Sequence, residues 1–580
     1  MKSTSSARRA WRAAACGTLF GVFTFTVALS AHAAQAPTAG DALRDIQDKP
    51  IPAPAGKAPV DITRPVPRAV APVAGLKVDV KGFRFSGVRA ADEKALREVV
   101  APFVGRDKTF DDLQAAAEAV SEYLQREGYF VAQAYLPEQE LAGGVVEIAV
   151  LEGRLGEVKL EIEDGVPVRR SMIAKYLARL ERGQVMHRDS VERVLFLISD
   201  LRGVNVRSVV EPGASPGTSN LIVKVSAGRR FDALIEFDNH SSRFTGDYRL
   251  GAGLNVNSPL GLGDLLSVRG LLGVPGGGAD LDFGRVSYLV PVGGYGTKVG
   301  VAYLRVQYHL GTSLFDPLDQ SGTSSVASLF ALHPVVRTRN LNVFGQASFD
   351  ARDFHDDRRA VGLTSDRKTK VGGLGLVGDS RDAWLGGGIN NFALTYNRGR
   401  LDIETPADFI ADQSTTGRHT AGSYGRINGS IARLNALWKG AVLYTSYAFQ
   451  WASKNLDSSE KIALGGPTGV RAYAVGESAS DEGHLATVEL RVGLPDIEWL
   501  PGLGVASVFY DYAHGTVSKH PLPLDINNKR TLRGVGLGLT WARQDDFLVR
   551  ATLAWRLTDP STSDPADRKP RLFFQLQKYL

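Results

Sequence analysis

The chain has 580 residues, a formal net charge of +6, an isoelectric point near 9.1 and one cysteine. Four basic residues and no acid lie in its first 33 residues, so removal of that stretch leaves a net charge of about +2. The basic isoelectric point is therefore no sign of nucleic-acid binding, and a single cysteine excludes an internal disulfide or a multi-thiolate metal site.

Residues 1–33 have the composition of a secretory signal peptide. Lys2 and three arginines precede an apolar stretch from Ala13 to Leu29, and the sequence Ala-His-Ala at 31–33 forms a small-residue cleavage site. A membrane anchor is the alternative, but glycine and threonine interrupt the stretch, which is also short. Most of the apolar stretch follows Cys16, which argues against a lipoprotein signal. We therefore predict a mature chain without cysteine.

Residues 34–75 predict a short helix followed by a proline-rich linker. The segment from Asp41 to Lys49 predicts about two helical turns, with Leu43 and Ile46 on one face, and so short a helix needs a surface to dock against. A series of prolines excludes a stable helix across 50–72 and indicates an extended, semi-rigid tether.

Two soluble modules, 76–153 and 154–228, are predicted to have the same order of elements. In the first we predict a strand, two helices and two strands at 76–86, 91–103, 110–127, 131–137 and 144–151. In the second the same elements are predicted at 156–163, 168–181, 188–201, 204–210 and 220–226. The helices of each β-α-α-β-β unit would cover one face of a three-stranded sheet. The sheet edges would then be open to an added peptide strand, although the modules could equally be spacers.

Residues 229–580 have the alternation of an outer-membrane β-barrel. The segment 547–557 places Val549 and Leu553 on one face and Arg550 and Thr552 on the other, as lipid on one side and a wet lumen on the other require. We predict sixteen antiparallel strands near 230–239, 248–258, 264–273, 282–292, 297–308, 324–336, 341–353, 368–380, 388–401, 424–437, 441–453, 484–494, 504–514, 530–542, 547–557 and 571–580. An even number of strands lets the sheet close without exposed edges.

The predicted connections alternate in length. Three of them are short, at 259–263, 337–340 and 439–440. Five are long and polar, at 309–323, 354–367, 402–423, 454–483 and 515–529. Short turns on one side and long loops on the other favour an outer-membrane barrel over a soluble β-sandwich, whose strands also alternate.

Three motifs resemble those of the TpsB family, the transporters of two-partner secretion within the POTRA-barrel superfamily. The sequences GYFVAQAYLPEQ at 128–139 and GVVEIAVLEG at 144–153 are similar to the first POTRA domain of that family. The stretch VRAY at 470–473 resembles its V-R-G-Y/F loop motif, with Ala472 where the family usually has glycine. The stretch FYD at 509–511 resembles its F-x-D motif. Our strand order places the loop motif between strands 11 and 12 and Asp511 on strand 13, as in the family.

Arg471 carries the strongest chemical requirement in the loop 454–483. If this loop folds into the lumen, the guanidinium needs a carboxylate in bidentate geometry. Asp511 and Phe509 share the inward face of strand 13, and Glu489 faces inward on strand 12. We predict Asp511 as the leading partner, which the resemblance also implies, with Glu489 as the alternative; an exposed loop arginine is the remaining possibility. As parts of the same motif, Val470 and Tyr473 are predicted to contact the lumen wall with Arg471.

Three glycines on strand 14 face the same lumen. Gly534, Gly536 and Gly538 leave room for an inserted loop, or they only relieve the curvature of the barrel.

Enzyme motifs do not occur in this sequence. The stretch GGPTG at 465–469 lacks the Lys-Ser/Thr of a P-loop. No G-x-S-x-G elbow between a predicted strand and a predicted helix appears, and H-E-x-x-H is not found. Asp353, Asp356 and Asp357 form an acidic cluster in a predicted surface loop, which we interpret as a solvated charge run rather than a divalent-ion site. We predict no catalytic residue, metal or cofactor.

The resemblance implies a protein translocation pore in the outer membrane of a Gram-negative bacterium, with its POTRA domains in the periplasm. Its implied cargo is a large exoprotein with an N-terminal secretion domain, such as a haemolysin, an adhesin or a contact-dependent toxin. Other implied partners are outer-membrane lipid and, during biogenesis, the barrel-assembly machinery; nucleic acid is not one. The alternatives are a barrel-insertion factor of the same superfamily, which usually has three or more POTRA domains, and a passive porin or receptor.

Overall fold

The computed structural model describes residues 37–46, 60–62, 77–89, 91–140, 142–274, 280–311, 315–438, 440–497, 501–523, 525, 527–564 and 568–580. The predicted signal peptide and most of the predicted linker lie outside these residues. Among the helices described, none is long and apolar enough to cross a membrane.

The first described elements are helix α1 (Ala39–Ile46) and strand β1 (Val60–Ile62). Thr38 caps the helix: its hydroxyl oxygen accepts from the Asp41 backbone N–H at 3.4 Å, and its own backbone N–H donates to Asp41 Oδ2 at 2.9 Å. The helix therefore begins before the predicted start at Asp41. Strand β1 lies within the predicted tether and pairs in parallel with residues 208–210 of the second module. These three residues are extended, as predicted for the tether, and they are docked on the sheet of the second module.

The first module contains a three-stranded sheet covered by two helices. Its elements are β2 (Lys77–Val80), β3 (Gly82–Ser86), α2 (Glu93–Val100), β4 (Gly105–Thr109), α3 (Phe110–Arg126), β5 (Gln133–Tyr135) and β6 (Val145–Leu151). The sheet order is β3-β6-β5, with β3 parallel and β5 antiparallel to β6. Leu96, Val120 and Ile148 are completely buried between helices and sheet. The predicted strand 76–86 is divided at Lys81, and β2 pairs with β4, which was not predicted.

The second module repeats this topology. Its elements are β7 (Arg154–Ile162), α4 (Arg170–Leu177), α5 (Arg188–Ser199), β8 (Val204–Pro212) and β9 (Thr218–Ala227). The sheet order is β1-β8-β9-β7, with β7 parallel and β8 antiparallel to β9. Ile173, Leu195 and Val223 are completely buried in its core.

Sixteen strands then close into an antiparallel barrel, in which β10 pairs with β25. The strands and one loop helix are β10 (Phe231–Asp238), β11 (Tyr248–Asn257), β12 (Leu265–Val274), β13 (Asp280–Val292), β14 (Thr297–His309), β15 (Gln320–Arg337), β16 (Leu341–Arg358), β17 (Leu363–Asp382), β18 (Gly388–Ile403), α6 (Pro406–Gln413), β19 (Gly422–Trp438), β20 (Ala441–Ala452), β21 (Glu482–Gly493), β22 (Leu503–Thr516), β23 (Lys529–Arg543), β24 (Phe547–Arg556) and β25 (Arg571–Tyr579). The predicted fold class and strand number are confirmed.

Strands β15, β16 and β17 are longer than predicted. The pairing of β16 with β17 continues to Arg358 and Leu363, so the predicted long loop 354–367 is wrong. The prediction was too short because the added segments 320–323, 354–358 and 363–367 consist mainly of polar and charged residues. No apolar face then marks them as membrane strands.

The outer face of the barrel is apolar. Large side chains between 47 and 66% exposed point outward from many strands, among them Val268, Leu329, Phe349, Leu374, Leu394, Ile431, Val508 and Leu537. An apolar outer face of this kind is typical of barrel strands that face lipid. The two modules precede β10, so β10 begins at the end of the barrel that is next to them. Because neighbouring strands are antiparallel, the barrel loops that follow even-numbered strands, from β10 to β24, lie at the opposite end.

The second module is fastened to the other end of the barrel. The Asp200 carboxylate accepts hydrogen bonds from Arg337 Nε and Nη2 at 3.0 and 2.7 Å, and the Arg337 side chain is 2% exposed. Lys298 Nζ donates to the Asp200 carbonyl at 2.8 Å. These contacts join the end of α5 to strands β14 and β15, and so place the module at the mouth of the pore.

Candidate functional site in the barrel lumen

The loop between β20 and β21 folds back into the barrel. Ile462 and Ser480 exchange backbone hydrogen bonds of 2.8 Å, which closes the base of the loop as a hairpin. Leu464, Val470 and Tyr473 are at most 1% exposed and pack together with wall residues of β21, β22, β23 and β24. The loop 454–483 therefore occupies the lumen.

Arg471 lies at the centre of this contact. Its Nε and Nη2 donate to the two carboxylate oxygens of Asp511, both at 2.9 Å, and its backbone N–H donates to Asp511 Oδ2 at 3.1 Å. Its Nη1 donates to Glu489 Oε2 at 2.9 Å. The sequence offered the two acids as alternatives, and the structure brings both to one guanidinium.

Neighbouring side chains hold the two acids in position. Thr487 Oγ1 donates to Asp511 Oδ1 at 2.9 Å, and Arg491 Nε donates to Glu489 Oε1 at 2.9 Å. The Arg471 guanidinium carbon lies 3.3 Å from the centre of the Phe509 ring, a cation–π contact. Planar recognition of this kind suits arginine and does not suit lysine.

The glycines of β23 make room for the loop. A Cβ on Gly534 would lie 2.7 Å from Ala472 Cβ, and one on Gly536 would lie 2.3 Å from Phe509 Cζ. These glycines therefore admit the loop and the ring that supports Arg471. Ala472 is buried and has no positive φ, so its methyl group fits where the family usually has glycine.

Tyr473 fixes the same stretch of the loop from the other side. Its hydroxyl lies 2.7 Å from Thr558 Oγ1 and donates to the Asp559 carbonyl at 3.0 Å. Val470 is completely buried beside it. The three motif residues predicted to contact the lumen wall thus lie together against it.

The first part of the loop has a further set of ion pairs that the sequence did not reveal. Arg367 Nη1 donates to Asp457 Oδ2 at 2.5 Å, and Arg352 Nη1 donates to Glu460 Oε1 at 2.6 Å. Glu460 is completely buried. A polar loop sequence gives no sign that its acids are buried. The one signal that could have suggested a partner in the lumen is the alternation of β16, which puts Arg352 on the same face as Phe354.

Helix α1 lies inside the barrel next to this part of the loop. Ala39, Leu43 and Ile46 are at most 3% exposed and pack against β12 to β16. The Ala39 N–H donates to Asp356 Oδ1 at 2.7 Å, and Arg44 Nη1 donates to the Ser458 carbonyl at 2.5 Å. The lumen wall is thus the docking surface that stabilises this short helix.

Asp356 corrects one prediction. It is 4% exposed on β16 and accepts from Arg367 Nη2 at 2.7 Å as well as from α1, so it is no part of a solvated loop cluster. Across the described residues, no group of three His, Cys, Asp or Glu side chains is arranged to hold a metal ion.

Comparison with known families decides what this barrel is. The family model for the haemolysin secretion/activation protein ShlB/FhaC/HecB matches residues 217–542, and the model for the ShlB-type POTRA domain matches residues 78–153. The chain belongs to the haemolysin secretion/activation family. It is an outer-membrane transporter of two-partner secretion with its POTRA region in the periplasm, as its motifs indicated.

Individual relatives agree with this assignment. The heme/hemopexin transporter protein HuxB of Haemophilus influenzae strain 86-028NP is 30% identical over 473 residues, covering 79% of this chain and 80% of HuxB. The outer membrane transporter CdiB of Dickeya dadantii strain 3937 is 23% identical, covering 84% of each chain. The solved structure of CdiB from Escherichia coli has the same fold, with a TM-score of 0.68, 22% identity and coverage of 89% of this chain and 93% of that one.

Proposed function

We propose that this transporter exports one large exoprotein by passing it unfolded through the barrel, and that loop 454–483 and α1 must leave the lumen for transport. The observation that carries the proposal is the occupied lumen: Arg471 fixes the loop to the wall, and α1 is buried beside it. A porin that conducts small solutes does not need a loop and a helix that fill its lumen and then leave it.

The second module, 154–228, is proposed to be a second POTRA domain. It has the same strand order as the first module, with the last strand at the centre, the first strand parallel to it and the second antiparallel. Two such domains fit a secretion transporter better than a barrel-insertion factor. The domain limits 76–153 and 154–228 remain predictions.

Capture of the exoprotein is proposed to take place on the first module. Strand β5 is an outer strand of its sheet, where an extended segment of the N-terminal secretion domain can add by main-chain hydrogen bonds. In the second module the corresponding strand, β8, is already paired with β1. The first module therefore offers the outer edge of β5 to an added strand, whereas in the second module β1 already covers the corresponding edge of β8.

The cargo is proposed to be a haemolysin, an adhesin, a contact-dependent toxin or, given the name of the relative HuxB, a haem-binding exoprotein. We propose that transport needs no catalysis by this chain, since folding of the cargo outside opposes its return. We also propose that lipid covers the apolar outer face and that the barrel-assembly machinery inserts the chain.

The proposal is tested in a Gram-negative host that expresses this chain together with its cognate exoprotein. We expect the exoprotein in the medium with the full chain. With residues 77–151 deleted, we expect its N-terminal domain to remain in the periplasm, because the capture surface is lost. Immunoblots of medium and periplasm, at equal outer-membrane amounts of both forms, measure this. Equal secretion by the two forms would refute a capture role for the first module.

A further inference from the structure

Glu477, in the second half of the loop 454–483, is a completely buried carboxylate. It accepts backbone N–H groups of Thr562 at 3.0 Å and Ser563 at 3.1 Å. It also accepts the hydroxyls of Thr562 at 2.9 Å, Ser563 at 2.6 Å and Ser561. A buried carboxylate with this many donors is bound specifically, because each lost bond leaves a buried polar group without a partner.

An ion pair completes the site. Arg530 Nη2 on β23 donates to Glu477 Oε1 at 3.0 Å, and Arg530 Nε donates to Ser478 Oγ at 3.2 Å. At Arg471 a loop cation meets acids of the wall, whereas at Glu477 a loop anion meets a cation of the wall. The two contacts use different strands and do not share a residue.

The partner of Glu477 is itself fixed in place. The 558–563 segment, residues 558–563, belongs to the loop between β24 and β25. The next residue, Asp564, accepts from Arg571 Nη2 at 2.8 Å and from Arg243 Nη1 at 3.0 Å. Tyr473 adds its own hydrogen bonds to Thr558 and Asp559. The 558–563 segment is therefore a fixed support at the outer end of the barrel.

We propose that Glu477 is a second positioning residue, which holds the loop 454–483 in the lumen by binding the 558–563 segment independently of Arg471. This rests on the proposed function, in which the loop blocks the lumen between transport events. Glu477 is then one of the places at which the loop is held, in addition to Arg471 and the ion pairs of Asp457 and Glu460. Loss of the Glu477 contact alone makes the blocking position of the loop less stable.

The test measures ion current through the full chain in planar lipid bilayers, which needs no cargo. A Glu477→Cys variant is alkylated while unfolded, either with iodoacetate, which adds a carboxylate, or with iodoacetamide, which adds a neutral amide. Each alkylated form is then refolded. We expect the unmodified and amide forms to be open for a several-fold larger fraction of time than wild type. The carboxylate form should return toward the wild-type fraction. A merely structural defect would not distinguish the two adducts.

The control is Glu404→Cys, treated with the same reagents. Glu404 is an exposed carboxylate that pairs with Lys368 at 2.9 Å outside the lumen, and its variants should all behave as wild type. Equal open fractions in both alkylated forms of Glu477→Cys, or a wild-type fraction in the unmodified variant, would overturn the proposal. If secretion of the exoprotein did not depend on this chain, the proposed function would be wrong. The measurement of ion current would remain valid, because it uses no exoprotein.

Discussion

In cells that carry Arg471→Ala, we expect secretion of the exoprotein to fall on the order of tenfold or more. The substitution leaves Asp511, 1% exposed, and Glu489 beside it without their shared cation. Loss of one partner of a buried ion pair costs about 3–5 kcal/mol, so the loop no longer returns to the single resting position from which we propose that each transport event begins. Immunoblots of the medium measure secretion, and heat-modifiable migration of the extracted barrel checks folding.

Two further variants make this result specific. Arg471→Lys should be intermediate, because an ammonium group cannot reproduce the three-pronged contact with both acids. Arg400→Ala should secrete as wild type, since Arg400 is 68% exposed and pairs only at the surface with Asp402. Normal secretion by Arg471→Ala at a normal outer-membrane amount would show that the contact has no role in transport.

Deletion of residues 39–46 should raise the ion conductance of the purified channel several-fold. These residues form α1, whose apolar face is buried against the lumen wall, so their removal leaves a water-filled path. Single-channel recording in planar bilayers measures the change.

Helix α6 supplies a control of equal length. Like α1 it has eight residues, but it lies in the loop after β18, with Phe409 and Ile410 47% and 69% exposed. Deletion of residues 406–413 should leave the conductance unchanged. If the two deletions gave the same conductance, α1 would not be the element that closes the pore.

The sequence predicted the barrel well because lipid imposes a strict alternation on membrane strands. The same alternation put Asp511 and Glu489 on the inward face, and thus beside any arginine that entered the lumen. It could not show that Arg471 binds both acids at once, since this depends on the spacing of two neighbouring strands around one guanidinium.

The burial of polar residues in the loop 454–483 could not be predicted in the same way. Asp457, Glu460 and Glu477 resemble solvated loop acids in sequence, yet each is at most 6% exposed. Their burial follows from the loop folding inward, which no local pattern records. Helix α1 was predicted from its apolar face, but that face does not say which surface it covers.

The most direct test of passage through the barrel uses neighbouring positions on β16. Ser348 shares the inward face with Phe344 and Phe354, whereas Phe349 points outward and is 50% exposed. A photo-crosslinking amino acid is placed at either position in cells whose exoprotein is stalled by a fused, disulfide-bonded domain. If the exoprotein passes through the barrel, we expect crosslinks to it from position 348 and none from position 349. Crosslinks from 349 alone, or from neither position while the cargo is stalled, would contradict it.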